Sequence, residues 1–252
     1  MRRPDRRRIL GIGVDQTSYD DATARVMDWA RQRESRYVCL GVVASVMEAR
    51  ESPRYRAALE QADLITPDGM PLVWMLRALG AKPASRVYGP DLTVAVLEAA
   101  QAAGIAVGFY GSSEQVLGSL VANLRRRFPR LEVAYRQAPP FRPLSALEDE
   151  EAVRAIKDSG ARILLVGLGG AKQDLWMAEH RGRVAAVMLG VGAAFDFLAG
   201  TKPQAPRWMQ NAGLEWLFRL ATEPRRLWRR YLRHNPRFAF LAVKQILTRN
   251  LS

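Results

Sequence analysis

The chain has 252 residues, 48% hydrophobic and 25% charged, which suits a globular protein with a sizeable core and excludes a disordered one. Its net charge of +13 is unusual and unevenly placed. From Ala205 onward ten Lys or Arg face two acids, Glu215 and Glu223, and Arg2, Arg3, Arg6, Arg7 and Arg8 cluster near the start. The single cysteine, Cys39, excludes an intrachain disulfide, fits a reducing cytoplasm and, lying in an apolar run, reads as a buried structural thiol. No apolar stretch long enough for a secretory signal follows the first eight residues. The longest uncharged apolar run, 184–195, falls short of the roughly 20 residues a spanning helix needs, so the chain is expected not to cross a membrane.

In chain order, apolar runs ending in Gly or Asp alternate with stretches of helical spacing. Strands are predicted over 9–14, 37–43, 64–66, 106–110, 131–135, 163–167 and 184–189. Helices are predicted over 19–31, 70–79, 91–103, 113–128, 148–159 and 173–180. This alternation is the βαβ signature, so the expected fold is α/β and Rossmann-like, a mainly parallel sheet with flanking helices. Residues 137–145, with Pro139, Pro140 and Pro143, read as an irregular loop over a surface or cleft. After Gly200 the character changes. The expected organisation is a core over 1–200, built as two intimate subdomains divided near 90–105, and a C-terminal helical basic appendage over 201–252.

The chemistry concentrates at strand ends. In residues 62–74, ADLITPDGMPLVW, Leu64 and Ile65 feed into Thr66-Pro67-Asp68-Gly69 before a helical stretch. Pro67 biases Thr66 toward extended backbone, and Gly69 permits a sharp turn. Asp68 therefore sits at a strand-to-helix corner, where α/β proteins place ligands; its carboxylate serves there either in chemistry or as a helix N-cap. Three further strand ends carry glycine: Tyr110-Gly111-Ser112-Ser113, Gly167-Leu168-Gly169-Gly170 and Gly190-Val191-Gly192. Each can bring backbone N–H groups and a helix N-terminus to a phosphate. Singly they are tight-turn chemistry; together beside Asp68 they favour a nucleotide or nucleotide-sugar cleft. The spaced GxGxxG fingerprint is missing, as are HExxH, CxxC, GxSxG and a strand-terminal DxD. His180 and His234 show no metal-ligand spacing and read as surface or helix-end residues.

These stretches, read together, resemble the WecG/TagA/CpsF family of bacterial glycosyltransferases. The matching pieces are ADLITPDGMPLVW, RVYGPDL (86–92), VGLGGAKQDLW (166–176), GVGAAFDFLAG (190–200) and APRWMQNAGLEWLFRLATEPRRLWRRYL (205–232), in the family's order. The resemblance implies an inverting, β-forming transfer of a hexosyl or N-acetylmannosaminyl group from a UDP-sugar to a polyprenyl-diphosphate-linked saccharide, in making a surface polysaccharide. It implies no metal and no cofactor beyond the UDP-sugar donor. The expected location is the cytoplasmic face of the cell membrane, as a peripheral protein on an anionic surface.

On that resemblance Asp68 is the base that takes the acceptor hydroxyl proton, and Arg86 and backbone donors stabilise the departing UDP. Arg86 serves either there or in a helix-end salt bridge. Gln173 is expected to read a uracil edge or a sugar hydroxyl, or to face water. Asp196 either binds a ribose or sugar hydroxyl or caps the next element. Thr66, Gly69, Gly111, Gly167, Gly169, Lys172 and Gly192 complete the expected substrate contacts. Three departures stand out: Leu40 and Val42 replace the family's Thr-x-Asn, Ala171 and Asp174 replace the Pro and Glu of its Gly-x-Pro-Lys-Gln-Glu, and Gln204 replaces the Arg of its Arg-Ala-Pro. They bear on the donor sugar and on the strength of the activity rather than on the fold.

In the tail, aromatic residues interleave with arginines, and Arg226, Arg229, Arg230 and Arg233 recur at helical steps. That pattern fits a helix lying in an anionic membrane interface. The resemblance adds that Arg219, Arg226 and Arg229 reach the active site and neutralise diphosphate. Self-association is left open. Two other functions fit less well: a nucleotide-dependent oxidoreductase lacks its dinucleotide fingerprint, and a nucleic-acid-binding protein has the charge but no reading motif.

Overall fold

The structure is a computed structural model and describes residues 3–81 and 83–249. It opens with a hairpin where a single strand over 9–14 was predicted. β1 (Arg6–Ile9) and β2 (Ile12–Asp15) pair antiparallel around Leu10-Gly11, whose φ angles are 50° and 90°. Both being positive makes a tight two-residue turn. Leu10 is held in this strained region from afar: its amide donates to Gln245 Oε1 at 2.9 Å, and its carbonyl accepts from Arg50 at 2.9 Å. Asp15, fully buried, accepts from Arg6 at 2.9 Å and from the Ile65 amide at 2.7 Å, tying the hairpin to the main sheet.

Next come α1 (Tyr19–Arg31), β3 (Arg36–Gly41), α2 (Val43–Glu51), α3 (Pro53–Glu60), β4 (Leu64–Pro67) and α4 (Met70–Ala78). The second half runs α5 (Gly89–Ala103), β5 (Val107–Gly111), α6 (Glu114–Arg127), β6 (Val133–Gln137), α7 (Ala146–Asp158), β7 (Ile163–Gly167), α8 (Gly170–His180) and β8 (Val187–Gly190). Serine side chains start several helices: Ser18 accepts from the Asp21 amide, Ser113 from Val116, and Ser145 forms a reciprocal box with Glu148. α2 and α3, which the periodicity did not pick out, fill the β3–β4 crossover.

Six strands form one parallel sheet in the order β4-β3-β8-β7-β5-β6. The residues of five of these strands are mostly buried, as befits a sheet covered on both faces, while the edge strand β6 is only partly covered. Cys39 lies inside it as a free, buried thiol. One face, carrying Tyr37, Cys39 and Ile65, packs against residues of α2, α3, α4, α7 and α8. The other, carrying Val38, Leu64 and Leu189, packs against α1, α5 and α6, and against α9 (Ala194–Ala199). β3 and β8 are neighbours although far apart in sequence, and the helices leaving them, α2 and α9, cover opposite faces. That reversal opens a crevice at the carboxyl ends of the strands.

The segment beyond Gly200 is helical, as expected: α10 (Arg207–Asn211), α11 (Glu215–Thr222) and α12 (Pro224–Arg249), the last with Pro236 inside it. It is not loosely attached. Leu227, Phe238 and Ala242 of α12 are buried, and α12 packs along α2. No described helix is long and apolar enough to cross a membrane. Both histidines, read from sequence as surface or helix-end residues, are buried. His180 does end α8, stacked on Trp176 with ring centroids 3.9 Å apart, and its Nε2 meets Asp149 at 2.9 Å.

Candidate active site

A cavity of about 990 Å³ opens at the crevice, walled by the ends of β3 and β8, by α2, α4 and α8, and by the C-terminal helices. Asp68 stands on its edge. The Asp68 and Gly69 amides both donate to the Gly41 carbonyl, at 3.0 and 3.1 Å, so the end of β3 fixes the corner after β4. Gly69 is the N-cap of α4, with φ −77° and no side-chain cap. The Asp68 carboxylate therefore does not cap that helix, and the turn does not demand glycine's freedom at Gly69.

The carboxylate instead meets Arg86. Arg86 Nη2 lies 3.3 Å from Asp68 Oδ1, Arg86 Nε donates to the Asp68 backbone carbonyl, and the Gly89 amide faces Asp68 Oδ2 at 3.4 Å. A side chain at Gly89 would collide with Leu40, its Cβ only 2.4 Å from Leu40 Cδ1. This close approach lets the start of α5 reach the acid. The second carboxylate on Arg86 comes from the tail: Glu215 accepts from the same Nη2, and the Gln210 carbonyl lies 3.5 Å from Nη1. The guanidinium also covers the Tyr88 ring at 4.2 Å, and Tyr88 in turn is held by Gln204 Nε2 at 3.2 Å. Burial pushes the Asp68 carboxyl up to about 6, Arg86 pulling it down and Glu215 pushing it further up. Burial works against the charge of Arg86, but Asp68 and Glu215 outweigh it and hold that guanidinium above its ordinary value.

On the opposite wall, Gly169 and Gly170 have positive φ, 82° and 52°, and begin α8. Gln173 is buried and spans two turns: its Oε1 accepts from the Gly169 amide at 3.1 Å and its Nε2 donates to the Gly190 carbonyl at 2.9 Å. Its amide holds the wall together rather than facing water. Beside it Asp174 is buried, and its Oδ2 accepts from the Tyr55 hydroxyl at 2.7 Å. Burial drives the Asp174 carboxyl up to about 7, against the Tyr55 hydrogen bond. Glu48 and His234 lie on the same wall, His234 Nε2 being 3.8 Å from Glu48 Oε1.

Of the residues singled out in the sequence, Asp68, Gly69, Arg86, Gly169, Gln173, Gly192, Arg219 and Arg226 line this one cavity. Thr66, Gly111, Gly167, Lys172, Asp196 and Arg229 do not. Thr66 is wholly buried inside β4. Gly111 packs against Gly167, its Cβ position only 2.5 Å from the Gly167 carbonyl carbon, and Gly167 is filled over by Phe195. Lys172 is exposed on α8. Asp196, in the first turn of α9, takes the Thr201 hydroxyl and lies 3.6 Å from Lys202. Arg229 covers the Trp228 ring at 5.2 Å. Leu40 and Val42 both line the cavity, so where the family pattern has polar groups this wall is apolar.

The structure adds residues not assigned to the site from sequence: Tyr55, Asp174, Glu48 and His234 on one wall, Tyr88 and Glu215 around Arg86, and Arg230. Among the described residues, the buried polar atoms without a partner include Asp174 Oδ1, His234 Nδ1, Arg219 Nε and Arg230 Nε. All four residues line the cavity. Unsatisfied buried polar groups are costly, and a concentration of them in one cavity points to a ligand. The two guanidinium groups call for an anion.

A parallel α/β sheet with a cavity at its topological crevice, a carboxylate of raised pKa and a wall of arginines describes an enzyme site for an anionic substrate. Residues 7–252 match the glycosyl transferase WecG/TagA/CpsF family, and the chain belongs to it. It is also similar to an N-acetylglucosaminyldiphosphoundecaprenol N-acetyl-beta-D-mannosaminyltransferase of Bacillus spizizenii, with 33% identity over 186 residues, 73% of this chain and 70% of that one.

Proposed function

We propose that the protein transfers a sugar from a UDP-sugar to a polyprenyl-diphosphate-linked saccharide with inversion, Asp68 serving as the base. The observation that carries this reading is the meeting, in one cavity, of Asp68 and Arg86 from the core with Arg219 and Arg226 from the tail. In the proposed step an acceptor hydroxyl oxygen attacks the anomeric carbon while its proton passes to Asp68. The bond from that carbon to the UDP oxygen breaks, and UDP leaves with the electron pair. A carboxyl poised at about 6 is ionised enough at neutral pH to accept a proton, and basic enough to want it. Arg219, Arg226 and Arg230 supply positive charge where the diphosphate charge grows, so the reading needs no metal ion and no cofactor. The relative's name supports an amino-sugar donor and a lipid-linked N-acetylglucosamine acceptor.

The tail supports the second half of the proposal, peripheral association with the cytoplasmic face of a membrane in the synthesis of a surface polysaccharide. Trp228, Leu232, Phe240, Val243 and Leu247 are exposed along α12 at steps of three, four or eight residues, with Trp228, Leu232 and Val243 at the rim of the cavity and Phe240 and Leu247 outside it. Arg225, Arg229, Arg233 and Arg237 are exposed beside them at steps of four. A basic and aromatic outward face of this kind suits an anionic lipid interface. In this reading residues 201–252 act as one appendage to the 1–200 core.

The test is a screen of UDP-sugars with a lipid-linked N-acetylglucosamine acceptor, following UDP release. Wild type is expected to release UDP in an acceptor-dependent way, and Asp68→Asn to lose about 10²–10⁴-fold in kcat/KM while melting as wild type does. Near-normal turnover by Asp68→Asn would remove Asp68 from the chemistry.

A further inference from the structure

The tail's acids are scarce, yet one of them sits on the arginine that touches Asp68. Glu215 opens α11, its side chain is 13% exposed, and it shares Arg86 Nη2 with Asp68. The contact to Glu215 is the shorter; that to Asp68 Oδ1 is 3.3 Å. Two more acceptors, the Asp68 and Gln210 backbone carbonyls, face the Nε and Nη1 donors, so these too are engaged elsewhere than on the Asp68 carboxylate.

We propose that Glu215 is a positioning residue for the transfer: it engages Arg86 so that the guanidinium cannot close fully on Asp68, and so keeps Asp68 a usable base. The inference rests on the reading of Asp68 as that base. One positive charge is here divided between two half-buried carboxylates. Were Glu215 neutral, the whole guanidinium charge would act on Asp68, favouring its ionised form and weakening it as a proton acceptor. The other groups around Asp68 are Tyr19 from α1, Tyr88 and Arg86 from the segment before α5, and the Gly89 amide. Both tyrosines are held above their ordinary values by burial and stay neutral, which leaves Glu215 as the negative neighbour that balances Arg86. A purely structural tie is the alternative. Against it, α10 and the loop before it are already fastened to the chain's earlier part by Arg207 on Asp91 and Gln204 on Tyr88.

The experiment is a carboxyl-carbon NMR titration of the full chain with ¹³C-labelled aspartate, Asp68 being assigned by its loss in Asp68→Asn. The Asp68 midpoint of Glu215→Gln is expected to fall by about one pH unit, a tenfold change in its acid constant. Arg207→Ala, which cuts a different tie of the same segment, is expected to leave it in place. The acid limb of the kcat/KM profile should move down with the Glu215→Gln midpoint. An unmoved midpoint in Glu215→Gln, or an equal shift in Arg207→Ala, overturns the inference. Should Glu215→Gln melt early, Glu215→Asp keeps the charge and is expected to hold the wild-type midpoint; a fall there as large as a full unit would also overturn it. The titration needs no turnover, so absence of transfer by wild type would instead overturn the proposed function.

Discussion

The Tyr55 hydroxyl donates to Asp174 at 2.7 Å across the gap between α3 and α8, and the other Asp174 oxygen has no partner. That hydrogen bond favours the ionised carboxylate, but burial favours the protonated one and outweighs it. Burial sets the Asp174 carboxyl at about 7 in the fold, well above its ordinary value. Its contribution to stability is therefore complete below the ordinary carboxylate range and is lost as pH rises through about 7. Asp15 and Asp68, each raised by burial to about 6, act in the same direction. Tm by calorimetry is expected to fall between pH 5 and pH 8. Asp174→Asn should flatten the upper part of that fall, by an amount on the order of 2–4 kcal/mol. A variant curve parallel to wild type would show Asp174 already ionised at pH 5.

The tail arginines divide by position. Arg219 and Arg230 line the cavity with unpartnered Nε atoms, whereas Arg229 lies over Trp228 outside it. Arg219→Ala and Arg230→Ala are expected to reduce kcat/KM at least about tenfold, the worth of one charge-assisted contact, without changing vesicle binding. Arg229→Ala should do the reverse and weaken vesicle binding more than turnover. Steady-state kinetics beside vesicle sedimentation separates the two groups.

The outward stripe of α12 predicts its own signature. Phe240→Ser with Leu247→Ser, both residues more than half exposed and outside the cavity, should lower co-sedimentation with vesicles containing anionic lipid while leaving Tm within a degree or two. Binding of wild type should also fall with added salt, because each basic residue near such a surface is worth about 1 kcal/mol and is screened. Salt-independent binding would point to burial of apolar surface alone.

Transfer is expected to proceed at its usual rate after EDTA treatment. The described residues hold no cluster of three or more His, Cys, Asp or Glu placed to bind a metal ion. Strong inhibition by EDTA, reversed by Mg²⁺ or Mn²⁺, would contradict the arginine account of leaving-group stabilisation.

Much of the sheet was legible because buried parallel strands are continuous apolar runs with glycine or aspartate at their ends. α1 was predicted with its observed bounds, Tyr19–Arg31, since Ser18 and the two following acids mark its start. The hairpin was not legible: the turn at Leu10 depends on Gln245, some 235 residues further along. In the site, Asp68 and Arg86 stood out by motif, and the structure puts them in contact. Glu215 did not, because its partner lies 129 positions away and its own neighbours are ordinary for a helix start. Gly111 and Gly167 looked like phosphate turns, but their missing side chains make room for each other and for Phe195. A glycine at a strand end reports close approach without saying what approaches.

Gln245 holds both Leu10 and Arg8 of the opening hairpin, the second through its Nε2 at 2.7 Å, while Phe238 and Ala242 sink into the core. A rod pinned near its far end and along its inner side cannot pivot. Whatever plane the outside of α12 comes to rest on, the mouth of the cavity meets that plane at an angle already set by folding. Orientation toward the lipid would then be a property of the folded chain rather than something acquired on arrival.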